Sequence, residues 1–194
     1  MKTVFVDVDT QLDFLYPAGA LYVPGGERIV DAIACLNRYA AGRGMRVVST
    51  ADAHAENDPE FATWPPHCIA GTAGQHKAAA TLLEKRVVMP NRDCAVAFDD
   101  AQQIIVEKQT VDVFASHNLR RVLDALNADR YVVYGVVTEI CVWFAARGLL
   151  ALKKPVTIVT GAVKELRAED AARALDEIRS LGGKVSTVAD VCLD

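Results

Sequence analysis

A three-layer α/β/α domain around a mainly parallel six-stranded sheet is what this sequence predicts, and three observations carry the prediction. Short β-rich runs alternate with helical stretches along the chain, several of the runs are almost continuously apolar, and no linker or low-complexity tract divides the sequence. A chain of 194 residues also fits one domain with a full core, so a single domain is expected over 1–194.

The elements follow in order. Residues 3–8 (Thr-Val-Phe-Val-Asp-Val) read as the first strand, and 27–43 as a helix with apolar residues three and four apart. Residues 45–50 form the second strand. From Ala51 to about Asp100 the chain is crowded with His, Pro, Asp, Asn and Gly and reads as irregular, interrupted by a helix over 75–84. Residues 103–107 are the third strand, and 118–127 a helix behind a Ser116 cap. The β-branched and aromatic run 131–136 is the fourth strand, followed by a helix over 141–152. Residues 156–159 and 184–188 complete the six strands, separated by a helix over 168–181 that stops at Gly182-Gly183.

Composition narrows the function classes. Net charge is −4 and the lysines and arginines are scattered rather than striped, so no footprint for nucleic acid is present. Five cysteines, widely spaced and without a CxxC pair, argue against a disulfide framework or a structural zinc site and for a reducing cytoplasm. Met1 leads straight into a strand, with no signal pattern and no apolar run long enough for a bilayer, so the protein is expected to be soluble, unprocessed and free of membrane contact.

Ligands of parallel sheets bind beyond the carboxyl ends of the strands, which gives weight to a polar residue directly after an apolar strand. Three such ends stand out: Asp9 after Val8, Lys108 after Glu107, and Cys141 at the turn after the fourth strand. Singly these read as a cap, a surface cation and a buried filler. Together they supply a base, a cation and a nucleophile, a set suited to acyl transfer. A helix N-terminus favours thiolate at Cys141, and the N–H groups of Val137 and Cys141 are candidates for an oxyanion hole. After the second strand, Asp52-Ala53-His54, Glu60 and Trp64-Pro65-Pro66-His67-Cys68 bring two imidazoles and one or two carboxylates into one segment. That is a mixed N/O donor set for Zn²⁺, Fe²⁺ or Mn²⁺. The alternative is that these side chains satisfy loop backbone groups. Nothing requires Cys68 to coordinate, and His76 and His117 read as surface or cap residues.

Asp9-Thr10-Gln11-Leu12-Asp13-Phe14, the loop Gly19 to Gly26, Asp52-Ala53-His54, the Trp64 to Thr72 run and the Gly135 to Val142 turn together resemble the isochorismatase-like cysteine hydrolases, and within them the nicotinamidase group. The resemblance covers nearly the whole chain. It implies a triad of Asp9, Lys108 and Cys141, one divalent metal held by Asp52, His54, Glu60 and His67, and a cis peptide bond between Val136 and Val137. It further implies a substrate site at Phe14, Trp64, Val136 and Val137, the two aromatic rings sandwiching a flat ring whose pyridine nitrogen meets the metal. The implied reaction is hydrolysis of a small-molecule amide, nicotinamide to nicotinate and ammonia, within NAD salvage. Members are often dimers or tetramers, so a homo-oligomer is expected, although no exposed apolar stripe specifies an interface. Two positions depart from the family pattern, Val137 for the usual Ala and Glu139 for the usual Asp; the Asp112-Val113-Phe114 run also looks more like the general hydrolase pattern.

Rival readings are an amidase for N-carbamoyl or ureido compounds, and a catalytically silent member that binds a small ligand. Asp7-Val8-Asp9-Thr10 also looks like the opening of haloacid-dehalogenase-type phosphatases, but Gln11 stands where that motif wants Thr or Val.

Overall fold

The computed structural model describes residues 1–193. Its sheet contains β1 (Thr3–Val8), β2 (Arg46–Asp52), β3 (Arg86–Met89), β4 (Gln103–Lys108), β5 (Arg130–Val136), β6 (Val156–Lys164) and β7 (Lys184–Thr187), in the order β3-β4-β2-β1-β5-β6-β7. Every neighbouring pair is parallel. The helices are α1 (Leu12–Leu15), α2 (Val30–Gly42), α3 (Leu119–Leu126), α4 (Trp143–Ala151), α5 (Ala168–Ser180) and α6 (Val188–Leu193). Among the described residues no helix is long and apolar enough to cross a membrane.

Strand alternation divides the interior in two. Val4, Val6 and Val8 of β1 join Val133 of β5 and the apolar stripes of α3 and α4, while Phe5, Val132, Tyr134 and Val136 face α2. The chain winds outward from β1 in both directions, so the order reverses between β1 and β5, and a crevice opens beyond their carboxyl ends. Asp9 follows one of these strands and Cys141 the other. Close approach at this point requires glycine: a Cβ at Gly135, whose φ is +119°, would collide with the Val8 backbone.

Four expectations are corrected. The sheet has seven strands rather than six; the extra one, β3, is a short, half-exposed edge strand whose apolar run is only Val87-Val88-Met89, and it stops at Pro90. The helix expected over 75–84 is only a 3₁₀ turn at Ala79–Thr81. Other elements capture its backbone groups: Ala78 N–H donates to Thr10 O, His76 O accepts from Leu12, and Leu83 N–H donates to the Gln103 side chain. Ser116 does not cap α3: the helix begins at Leu119 with Asn118 at the cap position, and the Ser116 hydroxyl donates to Glu107 O at 2.8 Å while accepting only the Asn118 N–H, at 3.4 Å. The segment expected as the first turn of a helix at Cys141 is a π-helical turn, Thr138–Val142, before α4 begins at Trp143.

Asp7 is wholly buried on the α2 side. It accepts from Thr10 Oγ1 (2.8 Å) and Ser49 Oγ (2.9 Å) and pairs with Lys77 at 3.3 Å, which commits it to the fold and leaves no phosphatase-type nucleophile at the crevice. In the same network Tyr134 donates its hydroxyl to Asn37 Oδ1 at 2.5 Å. Burial pushes the Tyr134 phenol well above its ordinary 10.0, with Asp7 and Cys192 adding to the shift. A phenol whose folded pKa is raised contributes stability that is complete below pH 10 and is lost as pH climbs toward the folded value. Tyr134→Phe is therefore expected to be less stable at pH 7, by about 1–3 kcal/mol for the abandoned Asn37 acceptor. Above pH 10 its stability should fall less steeply than the wild type's, by about 1.4 kcal/mol per pH unit. Urea unfolding at a series of pH values reads both; parallel curves above pH 10 contradict it.

Candidate active site

The β2–β4 register sets Asp52 directly opposite Lys108, each the last residue of its strand. Lys108 is 1% exposed and stands among three partners: Asp9 Oδ2 at 2.9 Å, Cys141 Sγ at 4.0 Å, and Asp52, to which it also hydrogen-bonds. The predicted trio of Asp9, Lys108 and Cys141 therefore converges. Asp9 takes the left-handed conformation (φ +49°), uncommon for a residue with a side chain; its N–H donates to Thr50 Oγ1 at 3.1 Å, and the same hydroxyl donates to its Oδ1 at 2.5 Å. Its Oδ2 accepts no well-aligned hydrogen bond despite full burial, its nearest charged neighbour being the Lys108 ammonium.

Electrostatics here correct one expectation. Burial drives the Cys141 thiol well above the usual range; Lys108 opposes this, and Asp9 and Asp52 add to it. Burial thus disfavours a free thiolate at this helix end, so attack calls for a partner that takes the thiol proton. Asp9 is suited to that, since burial raises its carboxyl while Lys108 pulls it back. Burial alone would lower the Lys108 ammonium, yet Asp52 and Asp9 hold it well above its usual value and so keep it charged. Burial disfavours the Asp52 carboxylate, but Lys108, His54 and His67 outweigh it and keep Asp52 ionised.

Asp52, His54 and His67 present donor atoms within 4.8 Å of one another, all buried. Asp52 Oδ2 lies 3.8 Å from His54 Nε2 and 3.7 Å from His67 Nε2. The far side of each ring is occupied: His67 Nδ1 meets Pro65 O at 2.8 Å, and His54 Nδ1 lies 3.1 Å from Asp58 Oδ2. Both Nε2 atoms are thus turned toward Asp52, and neither ring nitrogen of the buried His54 makes a well-aligned hydrogen bond. That donor set fits a divalent ion. Glu60 lines the adjacent cavity but stands outside this cluster, its N–H bonded to Asp58 Oδ1 at 2.9 Å. Asp58 was not anticipated, although the Asp58-Pro59 start of a 3₁₀ turn four residues after His54 is a readable cap signal.

The Asp9 to Asp13 motif braces both segments. The Gln11 side chain donates to Asp52 O (2.8 Å) and accepts from Asp52 N–H (2.7 Å), while Asp13 accepts from Cys68 N–H at 2.7 Å and Ala20 N–H at 2.9 Å. Cys68 itself is buried with its thiol pushed far up by burial, Asp52 and Asp13.

A mostly apolar cavity opens beside Cys141 and the Asp52 cluster. Phe14, Trp64, Val137 and Cys141 line it as expected; Ile140 and Leu166 do so without having been anticipated, because Leu166 arrives on a distant loop. Val136 does not line it. Strand alternation turns that side chain into the fully buried α2-facing core, so its assignment to the substrate site is withdrawn. The Val136–Val137 bond is cis, as the resemblance implied.

A parallel α/β sheet carrying a buried acid, cation and thiol at its switch point, beside a metal-type Asp/His/His cluster, is the arrangement of a hydrolase. Residues 3–190 match the family model described as the isochorismatase domain, and the chain belongs to the isochorismatase family. Within it the protein is nicotinamidase-like. It is 26% identical to the nicotinamidase of Escherichia coli (strain K12) over 94% of this chain and 93% of that one. The pyrazinamidase of Pyrococcus horikoshii, solved in complex with zinc, is 29% identical with a TM-score of 0.82, covering 95% of this chain and 98% of that chain. The N-carbamoylsarcosine amidase of Thermoplasma acidophilum shares the fold at a TM-score of 0.79 and 24% identity, covering 97% of each chain.

Proposed function

We propose that this amide hydrolase converts nicotinamide to nicotinate and ammonia through a thioester on Cys141, a step of NAD salvage. One observation supports the reading: Cys141, with Lys108 and Asp9 gathered behind it, lines the same apolar cavity as Asp52 and His67 of the metal-type cluster.

In this reading Asp9 Oδ2 takes the Cys141 proton as sulfur attacks the carboxamide carbon. Lys108 keeps the developing thiolate from facing two carboxylates unshielded. The N–H groups of Val137 and Cys141 hold the oxyanion, each for about 3 kcal/mol of barrier. Asp9 returns the proton to the departing nitrogen, ammonia leaves, and Asp9 then takes a proton from the water that cleaves the thioester, releasing the acid and the thiol. Phe14 and Trp64 sandwich the ring, and Val137 bounds its edge. Asp52, His54 and His67, with Glu60 as a fourth ligand, would hold one Zn²⁺, Fe²⁺ or Mn²⁺, which when bound supplies a Lewis acid to anchor the pyridine nitrogen. Asp58 fixes the His54 ring for that role. The partner is accordingly a small-molecule amide.

Ammonia release from nicotinamide, pyrazinamide and a set of N-carbamoyl amides tests the reading. Turnover of the two aromatic carboxamides, at least about tenfold better in kcat/KM than any N-carbamoyl compound, is expected. Turnover confined to N-carbamoyl compounds overturns nicotinamide as the substrate.

A further inference from the structure

The residue after Thr138 in the nucleophile turn does something that its distance from the sulfur hides. Glu139 reaches out of the π-helical turn to the loop joining β6 and α5, where its Oε1 accepts the N–H of Leu166 at 2.9 Å and of Arg167 at 2.8 Å. Arg167 occupies the cap position of α5 and has no acceptor of its own to offer, so a carboxylate from another element serves the exposed amides at the start of that helix. The other oxygen, Oε2, is buried with no partner. A carboxylate with an unsatisfied buried oxygen is held there by what Oε1 does.

The consequence reaches the pocket through Leu166. Its side chain lines the cavity beside Trp64 and Ile140, and the same three residues border the wider, charged groove outside, which also contains Glu139 and Arg167. Leu166 is 38% exposed and is among the few large apolar side chains left so open, so little packing holds it in place. Its position depends on the backbone that Glu139 grips.

We propose that Glu139 is a specificity-determining positioning residue: by gripping the Leu166–Arg167 backbone it fixes Leu166 as the outer wall of the pocket and thereby limits the bulk of the amide that reaches Cys141. The substrate part of this rests on the amidase reading above; the latch does not. Aspartate, one methylene shorter, cannot bridge the same gap from the same turn, whereas glutamine keeps the Oε1 acceptor.

The test uses the full chain with Glu139→Ala, Glu139→Asp and Glu139→Gln. Hydrogen exchange at the Leu166 and Arg167 amides needs no substrate. It is expected to accelerate at least about tenfold in the Ala and Asp variants and to stay within about threefold of wild type in the Gln variant, while β5 amides keep their protection. Unchanged exchange in Glu139→Ala overturns the latch, as does loss of β5 protection in all three variants. In kinetics, Glu139→Ala is expected to raise KM for nicotinamide about tenfold with kcat within about threefold. Its preference for nicotinamide over a ring-methylated nicotinamide should shrink by about tenfold. A collapse of kcat at unchanged KM would instead assign Glu139 to the geometry of Cys141 and overturn the specificity role. If the wild type turns over no nicotinamide, the amidase reading fails while the exchange result still decides the latch.

Discussion

Cys141→Ala is expected to lower kcat/KM for nicotinamide by at least about 10⁴-fold while leaving the unfolding midpoint and ring binding nearly unchanged. The sulfur is the one thiol among the described residues that line the cavity, and its neighbours have no use without it: Asp9 Oδ2 would have no proton to accept and Lys108 no thiolate to face. Because the side chain is small and lies at a cavity wall, truncation leaves little unfilled space among packed atoms. Steady-state ammonia release together with equilibrium binding of nicotinamide separates chemistry from recognition. Residual turnover above about one part in a hundred would mean that water attacks directly and that no thioester forms. Cys68→Ala is the matched control. Its thiol is buried with Asp52 and Asp13 nearby and faces Gly74 O at 3.9 Å, so its loss should affect stability rather than chemistry.

Lys108→Met is expected to strike both stability and rate. The ammonium lies between Asp9 and Asp52, all three almost inaccessible to water, so deleting it leaves two carboxylates buried with no cation between them. Breaking such an arrangement by removing one partner costs about 3–5 kcal/mol. Urea unfolding of chelator-treated protein reads this without any contribution from a bound ion. With Lys108 gone, burial and Asp52 act on Asp9 against only the Thr50 hydrogen bond and raise its carboxyl further, which weakens it as a base. Activity should fall by about 10³-fold or more. Adding Asp9→Asn to Lys108→Met should restore part of the lost stability and none of the activity, since the second change removes one stranded charge and also the base. A single variant as stable as wild type would show that the pair does not carry the electrostatic load described.

Much of the site was legible because the sheet obeys a simple rule. Apolar strands ending in Val8, Glu107 and Val136 were visible as runs, and polar residues beyond such ends converge wherever strands are parallel. Asp52 and His54 were legible for the same reason, standing at the end of β2 and just beyond it. Other elements were hidden. The 75–84 stretch has helical composition, yet Thr10 and Leu12 after β1 and Gln103 of β4 claim its backbone hydrogen bonds, and a window of local sequence does not contain those competitors. Edge strand β3 is short and half in water, so it carries no periodic signal. Leu166 and Glu139 are 27 residues apart, and no spacing rule joins a loop to a turn across that distance.

The sequence by itself determined the alternation of strands and helices, the identity of the reactive groups and the edge of the sheet at which they gather, since these follow from local periodicity and from the polarity of strand ends. Tertiary structure decided the rest. It set the protonation of Cys141, which depends on burial and on two carboxylates drawn from other strands. It separated the cavity-facing Val137 from the core-facing Val136, and it joined Glu139 to Leu166. Charge states and pocket walls depend on which distant atoms exclude water from one another, and that is a property of the packed chain rather than of any segment of it.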